Sequence, residues 1–179
     1  LDLMHVPYPS CGFVPSVLTF DKSACKHALY GTGINLAREI VLNRHDRPDP
    51  EQIAATLGLP LFVKPNASGS SFGVTKVKRT EELLPAIEEA FKESDRVLIE
   101  EYIAGREISC GVMIAGGKEY IFPITELISE NEFFDYDAKY KGLAKEVTPA
   151  QLAPELVKKI NHMTLDAYKA LNCRGVVRI

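Results

Sequence analysis

Apolar residues recur along this chain in two rhythms. Between Val17 and Tyr30, Leu18, Ala24, Cys25, Ala28 and Leu29 fall on one side of a helix that Gly31-Thr32-Gly33 ends. Asp49 and Pro50 open a short helix to Leu57, the aspartate as cap and the proline in the first turn. Glu81 to Phe91 repeats the helical spacing at Leu84, Ile87 and Phe91, with Thr80 as its cap, and Pro85 marks either a kink or its true start. Gln151 to Leu171 predicts a longer amphipathic helix with Leu152, Leu156, Ile160, Met163, Ala167, Tyr168 and Leu171 inward.

The other rhythm is shorter. Leu36–Leu42, Leu59–Val63, Val74–Val77, Val97–Ile103, Ile108–Ile114, Tyr120–Leu127 and Gly175–Ile179 are brief apolar runs bounded by glycine, proline or polar residues, and they predict strands. Residues 131–146 are polar and aromatic without period and predict a long loop. The order is α, β, α, β, β, α, β, β, β, loop, α, β. Consecutive strands joined only by turns favour antiparallel sheets with helices on one face, an α+β class rather than a doubly wound one.

Composition narrows the functional classes. With Lys plus Arg at 21 and Asp plus Glu at 24, the net charge of −3 argues against general binding of nucleic acid or an anionic membrane. No apolar run has the length of a membrane span. Cys11, Cys25, Cys110 and Cys173 are scattered, without CxxC or zinc spacing, which predicts reduced structural thiols and a cytoplasmic setting. Leu1 is not Met, and residues 1–15 carry Pro7, Pro9, Gly12 and Pro15. They predict a segment arriving from an earlier part of a longer protein.

Two segments carry candidate chemistry. Leu61-Phe62-Val63-Lys64-Pro65 sets an ammonium at the end of a buried strand, and Ser68-Gly69-Ser70-Ser71-Phe72-Gly73 follows. Such a Gly/Ser loop can close backbone N–H groups and hydroxyls over phosphate oxygens. It is neither a GxxxxGK[ST] loop nor a GxGxxG fingerprint, and a hairpin connection with an ordinary exposed lysine has the same local composition. In Val97–Ile103, a strand ends in Glu100 and Glu101 with Glu107 just beyond. That arrangement suits an adenine edge and ribose hydroxyls, or simply a half-exposed strand with solvated acids.

Taken together, the Lys64 loop and Glu100–Glu107 resemble the ATP-grasp superfamily, in which two α+β subdomains clasp ATP. Phe20-Asp21-Lys22, Glu132 to Tyr140 and Asn172-Cys173-Arg174-Gly175-Val176-Val177-Arg178-Ile179 are similar to one branch, the D-alanine–D-alanine ligases. Tyr8 and Gly12 also fit that branch. The resemblance spans essentially the whole chain. It implies that residues 1–20 are the tail of an N-terminal domain and linker, 21–104 a central subdomain, and 105–179 a second subdomain with a lid loop at 131–146.

The resemblance also implies roles. Lys22, Lys64 and Lys139 would contact ATP phosphates, with Ser71 in the flap above them. Glu100 and the backbone of Glu101 and Ile103 would meet adenine, Tyr102 would pack near the base, and Glu107 would bind ribose. Ser70 would hold Tyr140 and the second D-alanine, Tyr136 and Phe134 would belong to the lid, and Arg178 would stabilise an oxyanion. Magnesium ligands would lie just after Ile179, none within this segment, so the 179 residues alone are expected to be inactive. A homodimer is implied, with an interface largely outside this segment. The implied reaction joins two D-alanines through a D-alanyl phosphate for peptidoglycan synthesis. Two departures stand out: Ser68 where the family often has Glu, and Phe134 where it often has Tyr. The alternatives are another ATP-grasp ligase joining a carboxylate to an amine or a hydroxy acid, or a nucleotide-binding domain without chemistry.

Overall fold

The computed structural model describes residues 1–129 and 144–179. Five helices, α1 (Phe13–Phe20), α2 (Lys22–Leu29), α3 (Pro50–Leu57), α4 (Leu83–Glu93) and α5 (Pro154–Ala170), accompany ten strands among the described residues. The strands are β1 (Glu39–Asn43), β2 (Leu61–Pro65), β3 (Thr75–Val77), β4 (Arg96–Glu101), β5 (Glu107–Ser109), β6 (Gly111–Ala115), β7 (Lys118–Ile121), β8 (Thr125–Ser129), β9 (Ala144–Val147) and β10 (Gly175–Arg178). They form three sheets in the orders β1-β4-β2-β3, β10-β6-β7 and β5-β8-β9. Every pairing is antiparallel, the α+β architecture that the strand spacing predicts.

The four-stranded sheet has two unlike faces. Along β2, Leu61, Val63 and Pro65 are buried while Phe62 and Lys64 alternate with them. Leu61 and Val63 join Val77, Val97, Ile99, Ile53, Leu57, Leu83, Ile87 and Ala90 in the principal core, which α3 and α4 cover. Asp49 caps α3, its carboxylate accepting from the Glu51 and Gln52 amides at 3.0 and 3.2 Å. Helix α4 begins at Leu83 after a 3₁₀ turn over Thr80–Glu82. Pro85 therefore lies in its first turn, where the missing N–H does no harm.

The single helix expected over Val17–Tyr30 is two. The chain breaks at Asp21, whose backbone forms an isolated antiparallel bridge with Ala67 and whose carboxylate caps α2 through the Ala24 amide at 2.8 Å. The two strands expected over Ile108–Ile114 and Tyr120–Leu127 are four: β5 and β8 pair in one sheet, β6 and β7 in another. Strand β9 begins within the stretch read as loop and runs one residue past its end, where lack of apolar alternation concealed it. In α5 the expected stripe is real only toward the C-terminus. Ala167, Tyr168 and Leu171 are buried, but Leu156 is exposed.

A second core forms from Val112, Tyr168, Leu171 and Cys173, with Leu18, Cys25, Ala28 and Leu29 packed against it. Three of the four cysteines, Cys11, Cys25 and Cys173, meet there as free thiols. Burial and the neighbouring Cys11 push the Cys173 thiol up to about 12. The N-terminal segment is tied to β10 by the Val176 amide, which donates to Pro9 O at 2.8 Å. Gly175 has φ +64°, and a Cβ there would run into Pro9 O.

Charge fastens α2 to the other sheet face. Lys26 Nζ lies 2.7 Å from Glu100 Oε1 and 2.6 Å from Glu39 Oε2, and Lys64 pairs with Glu100 Oε2. The Lys26–Glu39 contact is an ion pair without hydrogen-bond alignment at that oxygen. Burial pushes the Glu100 carboxyl up, but the Lys64 and Lys26 ammonium groups outweigh it and hold it below its ordinary 4.5. Burial likewise lowers Lys26, but Glu100 and Glu39 raise it above 10.5.

Two outcomes follow for stability. Leu98 is wholly buried in the central strand β4, so Leu98→Ala is expected to cost about 2–5 kcal/mol in urea unfolding. Stabilisation through Glu100 is complete above 4.5 and is lost as pH falls through its lower folded value. That through Lys26 is complete below 10.5 and is lost as pH rises through its higher folded value. Unfolding free energy measured against pH should therefore fall at both extremes, and Glu100→Gln should flatten the acid limb.

Candidate nucleotide site

Strand β2, the loop after it and the start of α2 enclose a cavity of about 390 Å³, lined by Lys22, Phe62, Lys64, Ser68, Gly69, Ser70, Ser71, Phe72, Val74 and Glu107. That size falls within the ~300–1,000 Å³ typical of small-ligand sites. Five residues singled out in the sequence thus converge: Lys22, Lys64, Ser70, Ser71 and Glu107.

The loop is anchored at its base. Asn66, only 1% exposed, accepts the Ser23 amide at its Oδ1 (3.0 Å). Its backbone N–H donates to Arg96 O at 2.9 Å and its carbonyl accepts the Lys22 amide at 3.0 Å. One side chain and one peptide therefore join α2, β2 and β4. Burial pushes the Asp21 carboxyl up, but the Ala24 amide, the Asn66 side chain and Arg96 hold it below its ordinary value. Lys22 Nζ donates to Pro65 O at 2.9 Å and Ser68 O at 3.0 Å, so its charge lies against the loop's own carbonyls.

The loop's crest is strained. Ser70 and Ser71 are consecutive left-handed residues, with φ of 53° and 57°. The Phe72 amide donates to Gly69 O at 3.0 Å and closes a turn there. Gly73, at φ +68°, sits where a Cβ would lie 2.9 Å from Pro65 Cγ and 3.1 Å from Glu93 Cγ. Only glycine allows the loop to return so close to its own base.

The hinge after β4 is less uniform. Glu100 points into the charge cluster beneath α2, 12% exposed at its side chain. The Glu101 carboxylate is taken by Arg38, at 2.8 Å from its amide and 2.6 Å from its Nε. The chain leaves the sheet ladder after Glu101, and Tyr102 and Ile103 are exposed. The Tyr102 ring packs at 6.1 Å from Phe62, with Lys76 Nζ 4.3 Å from its centroid. Arg178 is exposed on β10, opposite Gly111, and does not line the cavity. Phe134, Tyr136, Lys139 and Tyr140 fall outside the described residues.

Sequence reasoning missed Phe62, Lys26, Glu39 and Asn66. Phe62 was within reach, because strand alternation puts it on the same face as Lys64. The other three owe their positions to contacts between elements distant in sequence, which no local pattern records. Among the described residues, no three of His, Cys, Asp and Glu cluster as a metal site, and no helix is long and apolar enough to cross a membrane.

Comparison with known proteins agrees with this fold. The chain is 47% identical over 178 residues to the D-alanine–D-alanine ligase of Phocaeicola vulgatus, covering 99% of this chain and 55% of that protein. It is 45% identical to the one from Parabacteroides distasonis, again over 99% of this chain and 54% of the relative. The chain therefore spans about half the length of these relatives. Among solved structures, the VanG D-Ala:D-Ser ligase from Enterococcus faecalis superimposes with a TM-score of 0.84 at 34% identity, covering 99% of this chain and 52% of that one. The D-alanine–D-alanine ligase from Bacillus anthracis gives 0.83 at 35% identity, covering 99% and 57%. Residues 29–179 match the family described as D-ala D-ala ligase C-terminus, and the chain belongs to that family.

Proposed function

We propose that this chain holds ATP for a ligase that joins two D-alanines through a D-alanyl phosphate, supplying the dipeptide for peptidoglycan in the cytoplasm. The observation that carries the reading is the convergence of Lys22, Lys64, Ser70, Ser71 and Glu107 on one cavity in a chain of this family. Residues 21–104 supply its phosphate face, 105–179 supply Glu107 to it and carry Arg178 outside it, and 1–20 are the tail and linker leading in.

In this reading Lys22 and Lys64 neutralise the phosphate tail from two sides, joined by Lys139. Fixed ammonium groups lower the cost of the charge that spreads over the transferring phosphoryl group. Phe62 and Tyr102 form an aromatic wall for the base, Glu100 and the hinge backbone meet its edge, and Glu107 accepts the ribose hydroxyls. The first D-alanine carboxylate oxygen attacks the γ-phosphorus and ADP leaves. The amine of the second D-alanine then attacks the acyl carbon, gives up a proton, and phosphate departs. Arg178 stabilises the oxyanion between these events, while Ser70 with Tyr140 orients the second substrate. The loop bearing Phe134 and Tyr136 excludes the water that would hydrolyse the acyl phosphate. Magnesium belongs to the proposal as the companion of ATP. The described residues offer no carboxylate set for it, so no step above runs through a metal.

Calorimetry with this chain tests the assignment. ATP should bind more tightly than AMP, because the lysines meet phosphates that AMP lacks. Lys64→Ala should weaken ATP by roughly 10- to 100-fold, the worth of a charged hydrogen bond, and leave AMP nearly unchanged. Equal loss for both nucleotides, or none for ATP, would remove Lys64 from the phosphate site.

A further inference from the structure

One buried charge has no part in the chemistry above. Lys26 lies on α2, does not line the cavity, and is 11% exposed at its side chain. Three oxygens surround its ammonium: Ala37 O at 2.7 Å, Glu100 Oε1 at 2.7 Å and Glu39 Oε2 at 2.6 Å.

The reason for this crowding lies in strand register. Glu39 on β1 and Glu100 on β4 are direct antiparallel partners. Like charges directly opposite each other repel, and these side chains are only 8% and 12% exposed. Charge reaches Glu100 from three elements: Lys26 on α2, Glu39 on β1 and Lys64 on β2. Two ammonium groups and two carboxylates balance. The two oxygens of Glu100 are divided between the lysines, Oε1 to Lys26 and Oε2 to Lys64.

A phosphate that draws on Lys64 competes with Glu100 Oε2 for its ammonium, which already borders the cavity. As its hold on Glu100 weakens, the two carboxylates depend more heavily on Lys26. We propose that Lys26 is a positioning residue for nucleotide binding: it holds Glu39 and Glu100 side by side, so that Lys64 can shift its hydrogen bonding from Glu100 toward a phosphate oxygen. The proposal rests on the ATP reading above. The exchange moves no proton and leaves Glu100 Oε2 open to an N–H donor on the base. Without Lys26 the two carboxylates would both draw on Lys64 and hold it back, or one of them would take up a proton.

The test is Lys26→Met in the 179-residue chain, with Lys26→Arg as the charge-retaining control and Lys26→Met/Glu39→Gln as the relief variant. Side-chain carboxyl ¹³C shifts report protonation without nucleotide, and calorimetry reports ATP and AMP binding. In Lys26→Met, one of the two carboxyls should titrate above the ordinary carboxylate range. Above that titration ATP affinity, relative to the unsubstituted chain, should fall by up to roughly tenfold per pH unit, with AMP unaffected. Lys26→Arg and the double variant should both follow the pH profile of the unsubstituted chain.

A Lys26→Met profile parallel to the original, whether uniformly weaker or unchanged, would overturn the proposal, since a structural role alone moves every pH equally. An unchanged carboxyl titration would overturn it with the functional reading intact. Absence of ATP binding by the unsubstituted chain at every pH would overturn the functional reading, and this proposal with it. If Lys26→Met does not fold, Glu39→Gln decides. Relieved of one carboxylate, it should bind ATP at least as tightly as the original, and weaker binding would overturn the proposal.

Discussion

Successive residues of a strand point to opposite faces of its sheet, and the four-stranded sheet depends on that alternation. In β2, Leu61 and Val63 enter the core under α3 and α4, while Phe62 and Lys64 line the cavity on the other side. In β4, Val97 and Ile99 belong to the same core and Glu100 faces the charges beneath α2. The site is thus the reverse side of the hydrophobic core. A slip of one residue in β2 would send Lys64 into the core and Val63 into the cavity, so the apolar burial that fixes register also fixes the ammonium.

What the sheet positions, the Asn66 clasp extends. A loop rich in serine and glycine loses much conformational entropy when it orders. Here its base is fixed on both sides: Asn66 binds the Ser23 and Lys22 amides of α2 and the Arg96 carbonyl of β4. Gly73 closes the return against Pro65 and Glu93. The strain at Ser70 and Ser71 is confined to the crest, where a ligand would meet it. Anchored base and strained crest suit a segment that must change contacts without losing its place.

Local patterns showed much of this and missed the rest for identifiable reasons. The strand before Lys64, the turn-rich loop, the helix capped by Asp49 and the antiparallel α+β arrangement all come from short-range spacing and residue chemistry. The break at Asp21 could not be read that way. Its cause is a bridge to Ala67, more than forty positions along the chain, whereas the residues around it have ordinary helical character. The first turns of α5 show the opposite error, a helical apolar stripe at Leu156 that the fold leaves exposed. No local pattern marks Lys26, because Glu39 and Glu100 become neighbours only when β1 and β4 pair. The resemblance named Glu100 for the base, and the structure gives it two lysines as well.

Those two assignments for Glu100 fit together once its oxygens are separated. Oε1 faces Lys26 and is held within the fold, whereas Oε2 faces Lys64, which also borders the cavity. A neutral glutamine would offer one acceptor and one donor, and its NH₂ would confront one of the two ammonium groups. An aspartate, one methylene shorter, would lose reach toward one lysine or the other. The carboxylate is therefore required by its surroundings before any nucleotide arrives. An acid that reads at first as a ligand contact is equally the counter-ion that makes two nearby ammonium groups tolerable beside a hydrophobic core.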